Sequence, residues 1–260
     1  MAKVAILIAE LKRGLKNHLA YPVQAVCEVI MVISVAIVVP SLLEGSFPKG
    51  LLGFTIDKPE KIVALTTVFI ALIGLQIVHR VVKEESDLGT LEQLYLAPFG
   101  LSSLIIFRFV ADTIRIMPII LIVVGIVSRN QGISWTLVLI PTIVFPMNIG
   151  MLGIGFLLGS LTLIAKRTGF IPNLTSLALL PLALSPPNKL PQIIGVVGSV
   201  IPFAHGIRLI EIILGNAPFS TWKLGFWKLC VLSGLWVTLG ILCFTKAESI
   251  ARHKGLLGSY

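Results

Sequence analysis

Apolar residues run along this chain in long blocks, separated by short charged, polar or proline-rich stretches. Blocks at about residues 23–43, 62–82, 104–127, 137–164 and 224–244 each reach the ~20 residues that carry a helix across a bilayer. A further block, 171–184, is short and holds Pro172 and Pro181, so it barely spans. Pro186-Pro187 and Pro191 follow, then an apolar run over 192–201. That run makes only about 15 Å of helix, half a bilayer, which predicts a re-entrant or interfacial piece. Residues 202–214 (PFAHGIRLIEIIL) predict one more short amphipathic helix, ended by Gly215-Asn216.

At the other end, Val4, Ile8, Leu11 and Leu15 share one helical face over residues 3–18, with Lys12, Arg13 and Lys16 opposite. Such a helix lies in the headgroup region. The pattern predicts an all-α integral membrane protein in one domain, 1–260. It has an amphipathic N-terminal interfacial helix, six transmembrane helices, and re-entrant or extracellular short helices over about 188–214, before the last span.

Composition agrees. The chain is 56% hydrophobic and 13% charged, with a mean hydropathy of +0.98, more apolar surface than a soluble domain can hide. A net charge of +9 would suit nucleic acid, but the cations gather at the ends of apolar blocks. The expected partner is therefore the bilayer and not nucleic acid. Cys27, Cys230 and Cys243 all lie inside apolar blocks, so no disulfide framework or metal site is expected. Acids and bases are spread through residues 1–18 without a small-residue cleavage site, so no cleavable signal is expected there. The sequence holds no phosphate-binding loop, HExxH or GxSxG motif, and no catalytic role is predicted.

Six spans put both termini on one side. The densest cationic clusters, around 3–16, 80–83, 166–167 and 246–254, fall on that same side. The cytoplasmic bias of Lys and Arg makes it the inner one, in a plasma membrane.

The loop after the second span is then cytoplasmic. It reads LGTLEQLYLAPFG over residues 88–100. Thr90 and Gln93 have capping-box spacing, Glu92 favours the positive helix end, and Pro98 stops the helix. A helix over about 90–97 this short is marginal in water and needs a surface to lie on. Leu91, Leu94 and Tyr95 supply an apolar face. Its own headgroups are one possible surface; a groove on a soluble partner is the other. The acidic run Glu84-Glu85-x-Asp87 disfavours anionic lipid and tips the balance toward a protein.

The string carried by Glu85, Gly89, Thr90, Leu91, Glu92, Gln93, Leu94 and Pro98 (E-x-x-x-G-T-L-E-Q-L-x-x-x-P) resembles the loop after the second span in type-2 ABC exporter permeases. The resemblance extends in outline to the whole chain, including Pro202, Gly206, Arg208 and Gly215 before the sixth span. It implies that 90–97 is a coupling helix docking into a separate ATP-binding subunit. It further implies two such subunits, a second permease copy (homodimer or close paralogue), and ATP and Mg bound only in the partner. The broken pieces before the last span would gate the outer mouth.

Arg108, Asp112 and Arg115 stand at i, i+4 and i+7 on the third span. Asp112 can serve both arginines, and the stripe neutralises itself at an interface or ties the coupling helix to the span. The pattern R-x-x-A-D-x-x-R resembles the daunorubicin-type drug-resistance branch, which implies an amphiphilic small molecule, drug or lipid-like cargo. Few Tyr and Trp lie in the spans, so a polysaccharide or lipid-linked glycan exporter is the less favoured alternative. Glu28, near the middle of the first span, is a candidate pathway or dimer residue, or the partner of a polar group on another helix. Gly150, Gly153, Gly155 and Gly159 predict close helix packing within one subunit, and Pro141 and Pro146 a kink. His79 and His205 read as polar caps rather than ligands. A carrier driven by an ion gradient would need paired mid-membrane acids and inverted repeats, which are not seen.

Overall fold

The structure, a computed structural model, describes residues 59–90, 100–128, 136–165, 170–184, 198, 200–214 and 219–253. Six helices are bounded within them: α1 (Pro59–Asp87), α2 (Gly100–Ser128), α3 (Thr136–Ala165), α4 (Ile171–Leu184), α5 (Pro202–Leu214) and α6 (Phe219–His253), and Gly198 and Val200 are helical as well. Among the described residues there is no strand. The N-terminal helix 3–18, the first span 23–43 and Glu28 lie outside them.

Within α1, α3 and α6, the segments Thr66–Asp87, Leu139–Ile164 and Thr221–Ala251 are long and apolar enough to cross a membrane. Hydroxyls inside these helices bond back to their own turn, as Thr67 does to the Val63 carbonyl and Thr162 to that of Leu158. A hydroxyl with no water nearby needs such an acceptor.

The central helix is α3, packed between α1 on one side and α6 on the other. Its glycines make that position possible. A side chain at Gly153 would strike the backbone of Trp236 and Val237 on α6, and one at Gly155 the Leu75 and Gly74 carbonyls on α1. The glycines therefore serve packing within the subunit. Despite Pro141 and Pro146, α3 runs as one continuous helix.

The core divides by depth into two clusters. One lies toward the 91–99 loop and joins Ile77, Val81, Leu101, Ile105, Phe109, Phe156 and Phe244, with Phe156 and Phe244 edge to face at 5.2 Å between centroids. The other lies toward the opposite end and joins Val68, Leu75, Ile140, Met147, Phe203, Ile210 and Leu229. From α5 this second cluster takes Phe203, Ile207, Leu209, Ile210, Ile213 and Leu214.

The short elements follow their sequence logic. Pro172 sits in the first turn of α4, where a missing N–H costs nothing. At 14 residues α4 is about 21 Å long, less than a bilayer core. It leans on α1 through the Gln76 amide, which donates to the Ser176 hydroxyl at 3.0 Å. Just ahead of α5, the Trp236 indole N–H donates to the Val200 carbonyl at 2.8 Å. Val200 ends a helical stretch just before α5, and the bond satisfies a carbonyl at that helix end for which hydrocarbon offers no donor. Leu224, Trp227, Val231, Leu235, Leu239 and Leu242 line one exposed face of α6, an apolar surface suited to lipid.

Candidate functional site

The end of α1 carries Glu84, Glu85 and Asp87 and no basic residue in its last turn. Three acids at the negative end of a helix dipole repel one another and the dipole. The required cation comes from the next helix. Arg108 Nη2 donates to Glu85 Oε1 at 2.5 Å, and Arg108 Nη1 stands 4.0 Å from Glu84. The Arg108 side chain is 12% exposed and that of Glu85 8%, so the pair is close to fully buried.

The other carboxylate oxygen of Glu85 is also used. The Thr90 hydroxyl donates to Glu85 Oε2 at 2.6 Å. This bond sits on a helix stop of defined form. The Thr90 N–H donates to the Glu85 carbonyl and the Gly89 N–H to that of Ser86, the two bonds of a Schellman cap. Gly89 takes the left-handed φ of +67° that such a cap requires. The apolar contact that usually accompanies the cap is replaced here by a hydroxyl–carboxylate bond. At the far side of the loop Gly100 is left-handed too, with φ +66°, where α2 begins.

Deeper in the bundle the signs alternate. Arg80 on α1 donates to Asp112 Oδ2 on α2 at 2.6 Å, and Arg115 lies 3.8 Å from Asp112 Oδ1. Arg80 followed by Glu84 and Glu85 on α1 thus faces Asp112 and Arg108 on the antiparallel α2. The two helices that carry the loop are clamped by charge over their adjoining ends.

Glu85, Gly89, Thr90, Arg108, Asp112 and Arg115 are thereby gathered at one end of α1 and α2. Leu91, Glu92, Gln93, Leu94, Tyr95 and Pro98 lie outside the described residues. Two expectations are revised. Asp112 was to be shared by Arg108 and Arg115, but its 2.6 Å partner is Arg80, and Arg108 turns to Glu85 and Glu84. The acidic run was expected to disfavour anionic lipid through all three of its acids, but Glu85 is consumed inside the clamp, leaving Glu84 and Asp87 as its exposed members.

Sequence reasoning missed Arg80 and Glu84 as members of the site. The readable signal was the mirrored order of charges, cation then acid on α1 and cation then acid on α2, which pair when antiparallel. Of the two histidines expected to be polar caps, His79 has its Nδ1 3.3 Å from the Thr162 hydroxyl, and His205 is half-buried on α5. Among the described residues no three His, Cys, Asp or Glu side chains come together as a metal would need.

An all-helical bundle with three helices long and apolar enough to cross a membrane, a glycine-packed central helix and charge-clamped helix ends has the architecture of a membrane-embedded subunit. Residues 7–214, well over half the chain, match the family model of the ABC-2 type transporter, and the chain belongs to that family. It is a membrane component of an ABC transporter and not its ATPase; the family implies an ATP-binding subunit as partner. No curated protein matches the chain.

Proposed function

We propose that this chain is the permease of an ATP-driven exporter, working as two copies with two separate ATPase subunits that bind ATP and Mg. Each ATPase docks on the helix expected over 90–97, with Leu91, Leu94 and Tyr95 as its apolar contact and Glu92 and Gln93 at its rim. The orientation we adopt puts both termini in the cytoplasm and the protein in the plasma membrane. The cargo is an amphiphilic small molecule, drug or lipid-like compound, on the resemblance of the Arg108–Asp112–Arg115 pattern to the daunorubicin-type branch.

The observation that carries this reading is the clamp. Helix ends joined by a buried ion pair move together, so a push delivered at 90–97, between them, would enter α1 and α2 as a unit. The buried pair supplies position more than stability. Co-purification from membranes tests the docking. The wild-type chain should bring down an ATP-binding subunit, and the variant combining Leu91→Glu with Leu94→Glu should reach the membrane without it. A variant that keeps the subunit refutes the docking role.

A further inference from the structure

One face of α1 stays open where the helix nears the 91–99 loop. Gln76, Arg80, Lys83 and Asp87 stand at i, i+4, i+7 and i+11, within a sector of about 60° at 100° per residue. The Gln76 amide ties this face to Ser176 of α4, and Arg80 ties it to Asp112 of α2. Beyond those two contacts the face is uncovered. The Arg80 side chain is 47% exposed, and Lys83 and Asp87 are exposed as well.

Depth decides what this face meets. From Ile73, midway along Pro59–Asp87, Arg80 is about 10 Å and Lys83 about 15 Å along the axis. A half-bilayer is ~15 Å, so Arg80 lies within it and Lys83 at its edge, where acyl chains give way to phosphates. Long cationic side chains at this height extend toward the headgroups. A soluble partner does not reach Arg80 there. Leu174 and Leu177, on either side of Ser176 in α4, add exposed apolar surface near the level of Gln76, suited to an acyl chain.

The balance of charge favours an anion. Arg80, Lys83 and Arg115 share this level of α1 and α2 with one acid, Asp112, whose oxygens lie 2.6 Å from Arg80 and 3.8 Å from Arg115. Glu84 stands 4.0 Å from Arg108, and Asp87 is about 6 Å nearer the loop than Lys83. The bond from Arg80 to Asp112 uses Nη2. A guanidinium has five N–H donors, so Arg80 keeps others for a second acceptor. Lys83 makes no ion pair among the described residues.

We propose that the Arg80–Lys83 face of α1, with Arg115 of α2 beside it, binds the phosphate of an anionic phospholipid from the leaflet on the 91–99 side. The phosphate oxygens accept from Arg80 and Lys83, and an acyl chain lies along Leu174 and Leu177. A zwitterionic lipid carries its own cation next to the phosphate and gains less from these side chains. Asp112 limits the site, because its carboxylate competes with the phosphate for Arg80. The site depends neither on the docking of an ATPase nor on the cargo.

The test uses the full chain, stripped of lipid in a neutral detergent and titrated with phosphatidylglycerol, with bound lipid counted by native mass spectrometry. Phosphatidylglycerol should bind at least about fivefold more tightly than phosphatidylcholine, the worth of one cation beside an anionic lipid. Arg80→Gln combined with Lys83→Gln should abolish that preference. Lys246→Gln should keep it, although it too deletes an exposed cation, two residues from the Phe244 of the loop-side core. Asp112→Asn should bind phosphatidylglycerol more tightly than wild type, a gain that misfolding does not give. Soluble glycerol phosphate at the same concentration should not displace the lipid. The proposal falls if wild type binds the two lipids equally, if the Arg80 and Lys83 double variant keeps the preference, or if Asp112→Asn brings no gain. It falls equally if Lys246→Gln loses the preference as the double variant does, the mark of diffuse surface charge. Displacement by glycerol phosphate would replace the lipid with a free phosphate and overturn it too.

Discussion

Arg108 on α2 donates to Glu85 on α1 across the loop that separates them, and the same carboxylate accepts the hydroxyl of Thr90 at the loop's first turn. One buried acid thus links a helix end, its cap and the following helix. Removing either charge strands the other in an apolar setting. Glu85→Gln or Arg108→Met alone should each cost about 3–5 kcal/mol of stability, as for other broken buried pairs. The double variant should cost much less than the sum. Thermal unfolding of the purified protein in detergent measures this, and strictly additive shifts would contradict the clamp. Arg80, whose side chain is 47% exposed, should matter far less: Arg80→Ala is expected to shift the midpoint only slightly.

Gly89 faces open space, so its role is conformational alone. Gly89→Ala should cost about 1–2 kcal/mol, the strain of a left-handed alanine, while Gly89→Asn should be nearly neutral. Limited proteolysis within 88–100 gives the readout. Faster cleavage is expected for the alanine variant, and equal rates for both variants would remove the helix stop from the account.

The glycines of α3 differ in what opposes them. At Gly153 the obstacle is backbone of α6, and at Gly159 it is chiefly the Val78 side chain. Both alanine substitutions should destabilise, by about 1–3 kcal/mol each. Only Gly159→Ala should be rescued by a compensating Val78→Ala. Trp236→Ala should leave Gly153→Ala unrescued, and rescue there would show that the helices can separate more easily than their packing implies.

Much of this fold was legible and some of it could not be. The apolar blocks located the helices because a bilayer demands them, but they reported membrane thickness rather than helix length. The block 62–82 continues as helix through Lys83–Asp87 until Gly89 ends it, and 224–244 extends to Phe219–His253. Hydropathy falls at those ends while helical hydrogen bonding does not. The stripe Arg108–Asp112–Arg115 was visible along one helix, where i, i+4 neighbours can be counted. Its pairing with Arg80, Glu84 and Glu85 depends on the register of two antiparallel helices, which no single-helix pattern encodes. The glycine pattern announced close approach without saying whose backbone approached.

The Val200 carbonyl offers a further check. Trp236→Phe keeps the ring but removes the N–H, leaving a carbonyl without that donor at a cost of about 1–3 kcal/mol. Amide hydrogen exchange should rise over the first turn of α5 and remain unchanged in α3. Unchanged exchange in α5 would mean that the indole does not hold this turn.

The central claim is that the 90–97 segment is where an ATPase grips the membrane subunit. A photo-crosslinking amino acid at position 94, introduced into the full-length chain in its native membrane, tests it directly. The account predicts an adduct with a chain that binds ATP, lost when Leu91→Glu is added. Adducts formed only with lipid, or only with other parts of this chain, would contradict it.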